Sequence, residues 1–166
     1  MIYSNFIEKM NEYNLPYLVV GGIAVNLHGY LRSTLDLDLL ILLDESNTEK
    51  FVRIVNELGF KPVVPVAIQD FSNPEKRDEW LNSRNMKAFS VYNEKNPIEH
   101  VDVLIDNTID FKGFYSRRVT IDGGGIEISL ISIDDLIQLK KAAARPRDLI
   151  DIKALERIRE LKNGQK

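Results

Sequence analysis

Tyr17-Leu18-Val19-Val20-Gly21-Gly22-Ile23-Ala24 is followed, with thirteen residues between Gly22 and Asp36, by Asp36-Leu37-Asp38-Leu39-Leu40. Tyr17 to Val20 is apolar and short, which predicts a buried strand. Gly21 and Gly22 are expected to end it, and Ile23 to Tyr30 resumes a helical spacing that stops near Gly29. Leu35 to Leu43 predicts a second strand, with Asp36 and Asp38 inside it. Side chains alternate along a strand, so residues two apart share a face. The two Cα atoms would then lie about 6 to 7 Å apart. Two carboxylates among leucines are costly to bury unless a cation or hydrogen-bond donors compensate them. That spacing can bracket one Mg²⁺, or two ions about 4 Å apart.

Working outward, Ile2, Phe6, Ile7 and Met10 recur at helical spacing, so a short amphipathic helix is expected before Asn14 and Pro16. A helix is predicted from about Ser46 to Leu58, with Ser46 and Glu49 as a capping box and Gly59 as its stop. Lys61 to Ile68 reads as an edge or irregular strand, because Pro62 and Pro65 cannot complete a central ladder. The polar run from Asp70 to Arg84 is expected to hold a short helix with Trp80. Lys87 to Tyr92 and Glu99 to Ile105 predict an antiparallel hairpin. A second hairpin is predicted for Arg118 to Ile121 and Ile126 to Ser129 around Asp122 to Gly125. Two helices, from about Ile133 to Ala143 and Pro146 to Leu161, close the chain. The fold class expected is α/β of the α+β type: a mixed sheet flanked by helices, with helices at the C-terminal end. It forms one domain over 1–166, with a core of about 14–130 and a helical segment of about 132–162.

Asp-x-Asp alone is also what solvated strand ends carry. Its context adds weight. Glycines at a strand-to-helix junction let backbone N–H groups face phosphate oxygens with no Cβ in the way. Asp102 stands in a further apolar run, Val101 to Ile105, and becomes a third carboxylate if that strand lies beside the first. Asp36, Asp38 and Asp102 are therefore the candidate catalytic and metal-binding set. Arg32 has a guanidinium fork suited to Asp36 or to phosphate, and Ser33 and Thr34 read as supporting hydroxyls rather than nucleophiles. His28 and His100 have no partner at zinc-ligand spacing and read as structural. Trp80, Tyr30 and Tyr92 read as core or rim packing. Asp148 and Asp151 read as first-turn caps of the last helix, or as partners of Lys140.

These motifs resemble the nucleotidyltransferases of the DNA polymerase beta-like superfamily: a hydrophobic strand, Gly-Gly or Gly-Ser, a spacer, Asp-x-Asp, and a later Asp on its own strand. Gly22 stands where many members carry Ser. The fuller runs Gly21-Gly22-Ile23-Ala24, His28-Gly29-Tyr30 and Arg32-Ser33-Thr34-Leu35-Asp36-Leu37-Asp38, with Leu136 to Lys140, Arg145, Arg147-Asp148 and Asp151, are similar to the abortive-infection toxin-type branch. The resemblance implies transfer of a nucleoside monophosphate from an NTP to a hydroxyl acceptor, with Mg²⁺ or Mn²⁺. Asp36 and Asp38 would hold metal and triphosphate, and Asp102 would help to activate the acceptor. Gly21, Gly22, Arg32, Ser33, Thr34 and Lys140 would line the nucleotide. A tRNA end or a protein side chain would be the acceptor, and a cognate toxin or antitoxin the partner. The other reading is a toxin–antitoxin component that binds a partner or nucleotide with little turnover.

The 166 residues, 44% hydrophobic and 28% charged, suit one globular domain. A net charge of −3 argues against a broad grip on nucleic acid and restricts any polynucleotide contact to a local strip near Lys140 to Arg147. There is no cysteine, which excludes disulfides, thiolate zinc sites and cysteine nucleophiles. The start of the chain lacks the apolar run of a secretory signal, and Leu39 to Leu43 is too short to span a bilayer. A soluble, cytoplasmic protein with no membrane partner is expected.

Overall fold

A computed structural model describes residues 2–164. The element order is α1 (Ser4–Glu12), β1 (Tyr17–Val20), α2 (Gly21–His28), β2 (Leu37–Ile41), α3 (Glu45–Glu57), β3 (Phe60–Pro62), a 3-10 turn (Ile68–Ser72), α4 (Pro74–Arg84), β4 (Ala88–Asn93), β5 (His100–Leu104), α5 (Phe111–Ser116), β6 (Val119–Asp122), β7 (Glu127–Leu130), α6 (Ile133–Ala143) and α7 (Pro146–Gly164). The seven strands form one mixed sheet in the order β3-β4-β5-β2-β1-β7-β6. β2 lies antiparallel to β1 and parallel to β5, and the two predicted hairpins, β4–β5 and β6–β7, are both antiparallel.

The central strands are apolar because they are covered. Every residue of β1 is buried, and β2 is buried except at Asp38. In β4 and β5, by contrast, Phe89, Val91, Val101 and Val103 are fully buried, while Ser90, Tyr92, His100 and Asp102 between them stay half-exposed. The buried side faces an aromatic chain. Phe6 meets Phe60 edge-on at 5.2 Å, Phe71 bridges Phe51 and Phe89, and Trp80 stacks on Phe89 at 5.1 Å. Such contacts add about 0.5 to 1.5 kcal/mol each beyond burial. The other side of β4 and β5 is thus an open face. No helix among the described residues is long and apolar enough to cross a membrane.

Several local expectations shift. Asp44, not Ser46, caps α3: its side chain accepts the Asn47 N–H at 2.8 Å, which places the start one residue earlier. Gly21 and Gly22 form the first turn of α2 rather than a separate loop. The β3 strand has only three residues at the sheet edge, and Ile68 already belongs to the 3-10 turn. Asp36 lies outside β2, which starts at Leu37, and is exposed; Leu35 is 56% exposed as well. The ladder explains this. β1 ends at Val20 opposite Asp38, so the chain before Leu37 has no strand on that side to pair with.

Candidate active site

Register builds the site. Asp38 and Asp102 are direct neighbours across the parallel β2–β5 pair, so their side chains leave the same face of the sheet. Ser90 lies opposite Asp102 on β4, and Val20, the residue before Gly21, lies opposite Asp38 on β1. One row therefore runs Ser90, Asp102, Asp38 and on to the first turn of α2. Asp36 precedes this row on the same chain, close enough to interact with both other carboxylates.

The glycines are dictated by close approach. Gly21 has a φ of +63°, and a Cβ there would lie 1.8 Å from an Asp38 carboxylate oxygen. A Cβ on Gly22 would lie 2.4 Å from the Thr34 hydroxyl and 3.0 Å from the Arg32 guanidinium. The Gly22 N–H points at Asp38 Oδ2 over a long 3.4 Å. The N-terminus of α2 thus opens directly onto Asp38, with Thr34 and Arg32 folded over it. That favours anionic groups at the helix end.

Electrostatically the carboxylates are in conflict. Burial, and next the neighbouring Asp102 charge, push the Asp38 carboxyl up to about 6. The Gly22 N–H and Arg145 oppose that rise, and Asp36 adds to it. Asp102 is raised by burial and by Asp36, against the Ser90 hydroxyl bond and His100. Tyr3, placed just before α1, donates its hydroxyl to the Leu35 carbonyl and accepts the His100 N–H at 3.2 Å, pinning the entries of β2 and β5 together. Among the described residues, no group of three carboxylates or imidazoles stands ready-made for a metal ion. Asp38 and Asp102 stand side by side, with Asp36 within electrostatic reach of both, and no cage is closed. Their oxygens are hard donors of the kind Mg²⁺ takes.

The two cations expected to line the nucleotide are both paired with Asp151. Lys140 is buried, its Nζ 2.8 Å from Asp151 and 3.2 Å from Asp148. Arg32 pairs with Asp151 rather than Asp36: Nη2 donates to Oδ2 at 3.0 Å, and Nε faces Oδ1 at 2.9 Å without hydrogen-bond alignment. Asn26 holds the same loop by bonds to the Arg32 carbonyl and N–H, at 2.9 and 3.0 Å. Ser33 is exposed and Thr34 half-buried beside Gly22. Asp148 and Asp151 are fully buried partners of Lys140, and Asp148 also accepts the Arg145 backbone N–H. His28 is structural, with Nε2 2.9 Å from the Ile131 carbonyl.

Arg145 is the residue that sequence reasoning undervalued. Its side chain is 73% exposed, one flank pairs with Asp148 at 2.8 Å, and its charge acts on Asp38. The cue was its place between two helices, where a cation ends one element without entering its packed face.

A glycine-started helix beside Asp-x-Asp, with a third Asp on the adjoining parallel strand, defines a nucleotidyltransferase-type core. The chain belongs to the family described as nucleotidyltransferase of unknown function (DUF6036), whose model matches residues 2–163. Solved structures agree in fold. The lincosamide antibiotic adenylyltransferase LnuA, lincomycin-bound, is similar with a TM-score of 0.54 and 19% identity, over 90% of each chain. ANT(2″)-Ia in complex with adenylyl-2″-tobramycin aligns with a TM-score of 0.57 and 14% identity, over 98% of this chain and 94% of that one. An antigenic nucleotidyltransferase-like protein from Paracoccidioides brasiliensis gives 0.55 and 18%, over 93% of this chain and 73% of that one. No curated protein matches the chain in sequence.

Proposed function

We propose that the protein transfers a nucleoside monophosphate from an NTP to a hydroxyl acceptor. The observation that carries this reading is the single row in which Asp102 and Asp38 lead to the N-terminus of α2. Asp36, Asp38 and Asp102 would hold Mg²⁺ or Mn²⁺, which when bound neutralises triphosphate charge and lowers the acceptor hydroxyl's pKa. The α2 amides at Gly21 and Gly22 face the phosphates. Arg145, already at the rim, contributes a fixed positive charge there. Arg32, Thr34 and Ser33 close the loop over the same helix turn, and Lys140 acts on that loop through Asp151.

In the transfer, the acceptor oxygen attacks the α-phosphorus. The bond from that phosphorus to the bridging oxygen breaks, pyrophosphate leaves, and the acceptor proton passes to the Asp102 carboxylate. Burial raises the Asp102 carboxyl above the ordinary carboxylate value, which makes it a better proton acceptor than a free carboxylate. LnuA is an adenylyltransferase in the same fold class, which supports adenylyl transfer as the first chemistry to assay. The resemblance of the run from Arg32 to Asp38 to the toxin-type branch is what favours the second reading, a component that binds nucleotide or partner with little turnover.

Calorimetric titration of ATP, GTP, CTP and UTP, with and without Mg²⁺, tests the reading on wild type and on Asp36→Asn/Asp38→Asn. Metal-dependent binding, weakened about a hundredfold or more by the double substitution, is the expected result. Absence of binding by every NTP would sink it, and binding without pyrophosphate release in any acceptor mixture would favour the binding-only component.

A further inference from the structure

The row of β4 and β5 next to the carboxylates is unused by this mechanism. Tyr92 is register partner of both Lys61 on β3 and His100 on β5, so the three share the open face. Tyr92 and His100 are half-exposed, with ring centroids 6.2 Å apart and planes tilted by 31°. Two residues along, on the same face, stand Ser90 and Asp102. The ring pair therefore begins one pleat, about 7 Å, from the carboxylate assigned to the acceptor proton. A platform three strands wide spans about 10 Å, the size of a small molecule rather than a duplex.

Its charge is one-sided. Asp36, Glu99 and Asp102 all act on Tyr3 at the edge of this face. Lys61 is the cation nearest the rings in register, and Glu94 pairs it at 2.6 Å. Two further cations of the site, Lys140 and Arg32, are held by Asp148 and Asp151. A phosphate-rich acceptor would find these cations already paired, as Arg145 is with Asp148, and would stand beside the like charge of the NTP. A ring bearing an ammonium group would find an aromatic surface beneath it and negative charge around it.

We infer that the open face of β3 to β5 is the acceptor subsite, with Tyr92 and His100 as its positioning pair, and that it takes a small cationic hydroxyl compound with a ring, not a polynucleotide. This rests on the nucleotidyltransferase reading. The occupant is set by charge complementarity and by continuity with Asp102.

Tyramine, which carries one ring, one hydroxyl and one ammonium group, is the cationic probe, and a ten-residue oligoadenylate RNA the anionic one. Each is titrated into the full chain with Mg²⁺ and the NTP found by calorimetry, or with Mg²⁺ alone if none binds, while the Tyr92 and His100 ring signals are followed by NMR. Tyramine should shift both ring signals saturably. The Kd should weaken about tenfold in Tyr92→Ala/His100→Ala and be restored in large part by Tyr92→Phe paired with native His100, while NTP affinity stays unchanged. Ring signals that shift with the oligonucleotide or move with neither probe, or a tyramine Kd that is unchanged in the alanine variant, overturn the subsite. Failure of NTP binding is read separately in the calorimeter and counts against the parent reading alone. Both substituted side chains are half-exposed, and an unchanged thermal midpoint verifies that the variants fold.

Discussion

The protein buries acidic groups in two places and treats them oppositely. Around α6 and α7, Asp148 and Asp151 are inaccessible but surrounded by Lys140, Arg32 and Arg145 at 2.8 to 3.2 Å. Burial alone would raise Asp148, yet the hydrogen bonds from Arg145 and Lys140 outweigh it and hold the carboxyl below its ordinary value. At the strand row, Asp38 and Asp102 have each other as neighbours and are raised. Charges that are compensated build architecture; charges left in conflict are raised instead, which is the mark of a candidate site.

Removing the compensating cation should turn the first region into the second. Lys140→Met leaves two buried carboxylates short of a partner, and a loss of about 3 kcal/mol in urea unfolding is expected. A loss within experimental error would show that Arg32 and Arg145 suffice.

Gly21→Ala attacks the junction between helix and carboxylate. The left-handed backbone disfavours any Cβ, and this one would lie 1.8 Å from the Asp38 carboxylate. The expected cost is about 2 kcal/mol in stability, together with loss of metal-dependent NTP binding as Asp38 is displaced. Unaltered NTP affinity would mean that Asp38 need not touch this turn.

The smallest effect is also the most diagnostic, because its sign reverses. Folding raises Asp38 from 3.8 to about 6, so the native state binds more protons than the unfolded chain between those values. Stability of the metal-free protein should therefore fall as pH rises from about 4 to about 6, and stay reduced above. Asp148 works the other way: its stabilisation is present above the unfolded carboxylate value and is lost as pH falls through its depressed one. Asp38→Asn should stabilise the chelator-treated protein at pH 7 by about 1 to 2 kcal/mol, while Asp148→Asn destabilises it. Thermal melts across pH 4 to 8 separate the two, and a destabilised Asp38→Asn would remove the contrast.

Much of the site was legible because its cues are local. Tyr17 to Val20 is β1 as expected, both hairpins form, and the glycine junction and Asp102 fall beside Asp38. Other features depend on distant partners. Nothing in the run Leu35 to Leu43 reveals that β1 stops opposite Asp38, which leaves Asp36 outside the strand. Lys140 carries the same periodic pattern whether it meets phosphate or Asp151. Arg32 finds a carboxylate 119 residues away instead of one four residues away. The six-residue helix α5 was not anticipated, since it is too short for a periodic signal.

That long-range bond orders events during synthesis. The loop from Tyr30 to Asp36 emerges early, but its latch, Asp151, emerges 119 residues after Arg32. Until α7 has folded against α6, the segment over the α2 turn lacks that tether. A nascent chain thus has all seven strands in hand before the partner that tethers this loop exists.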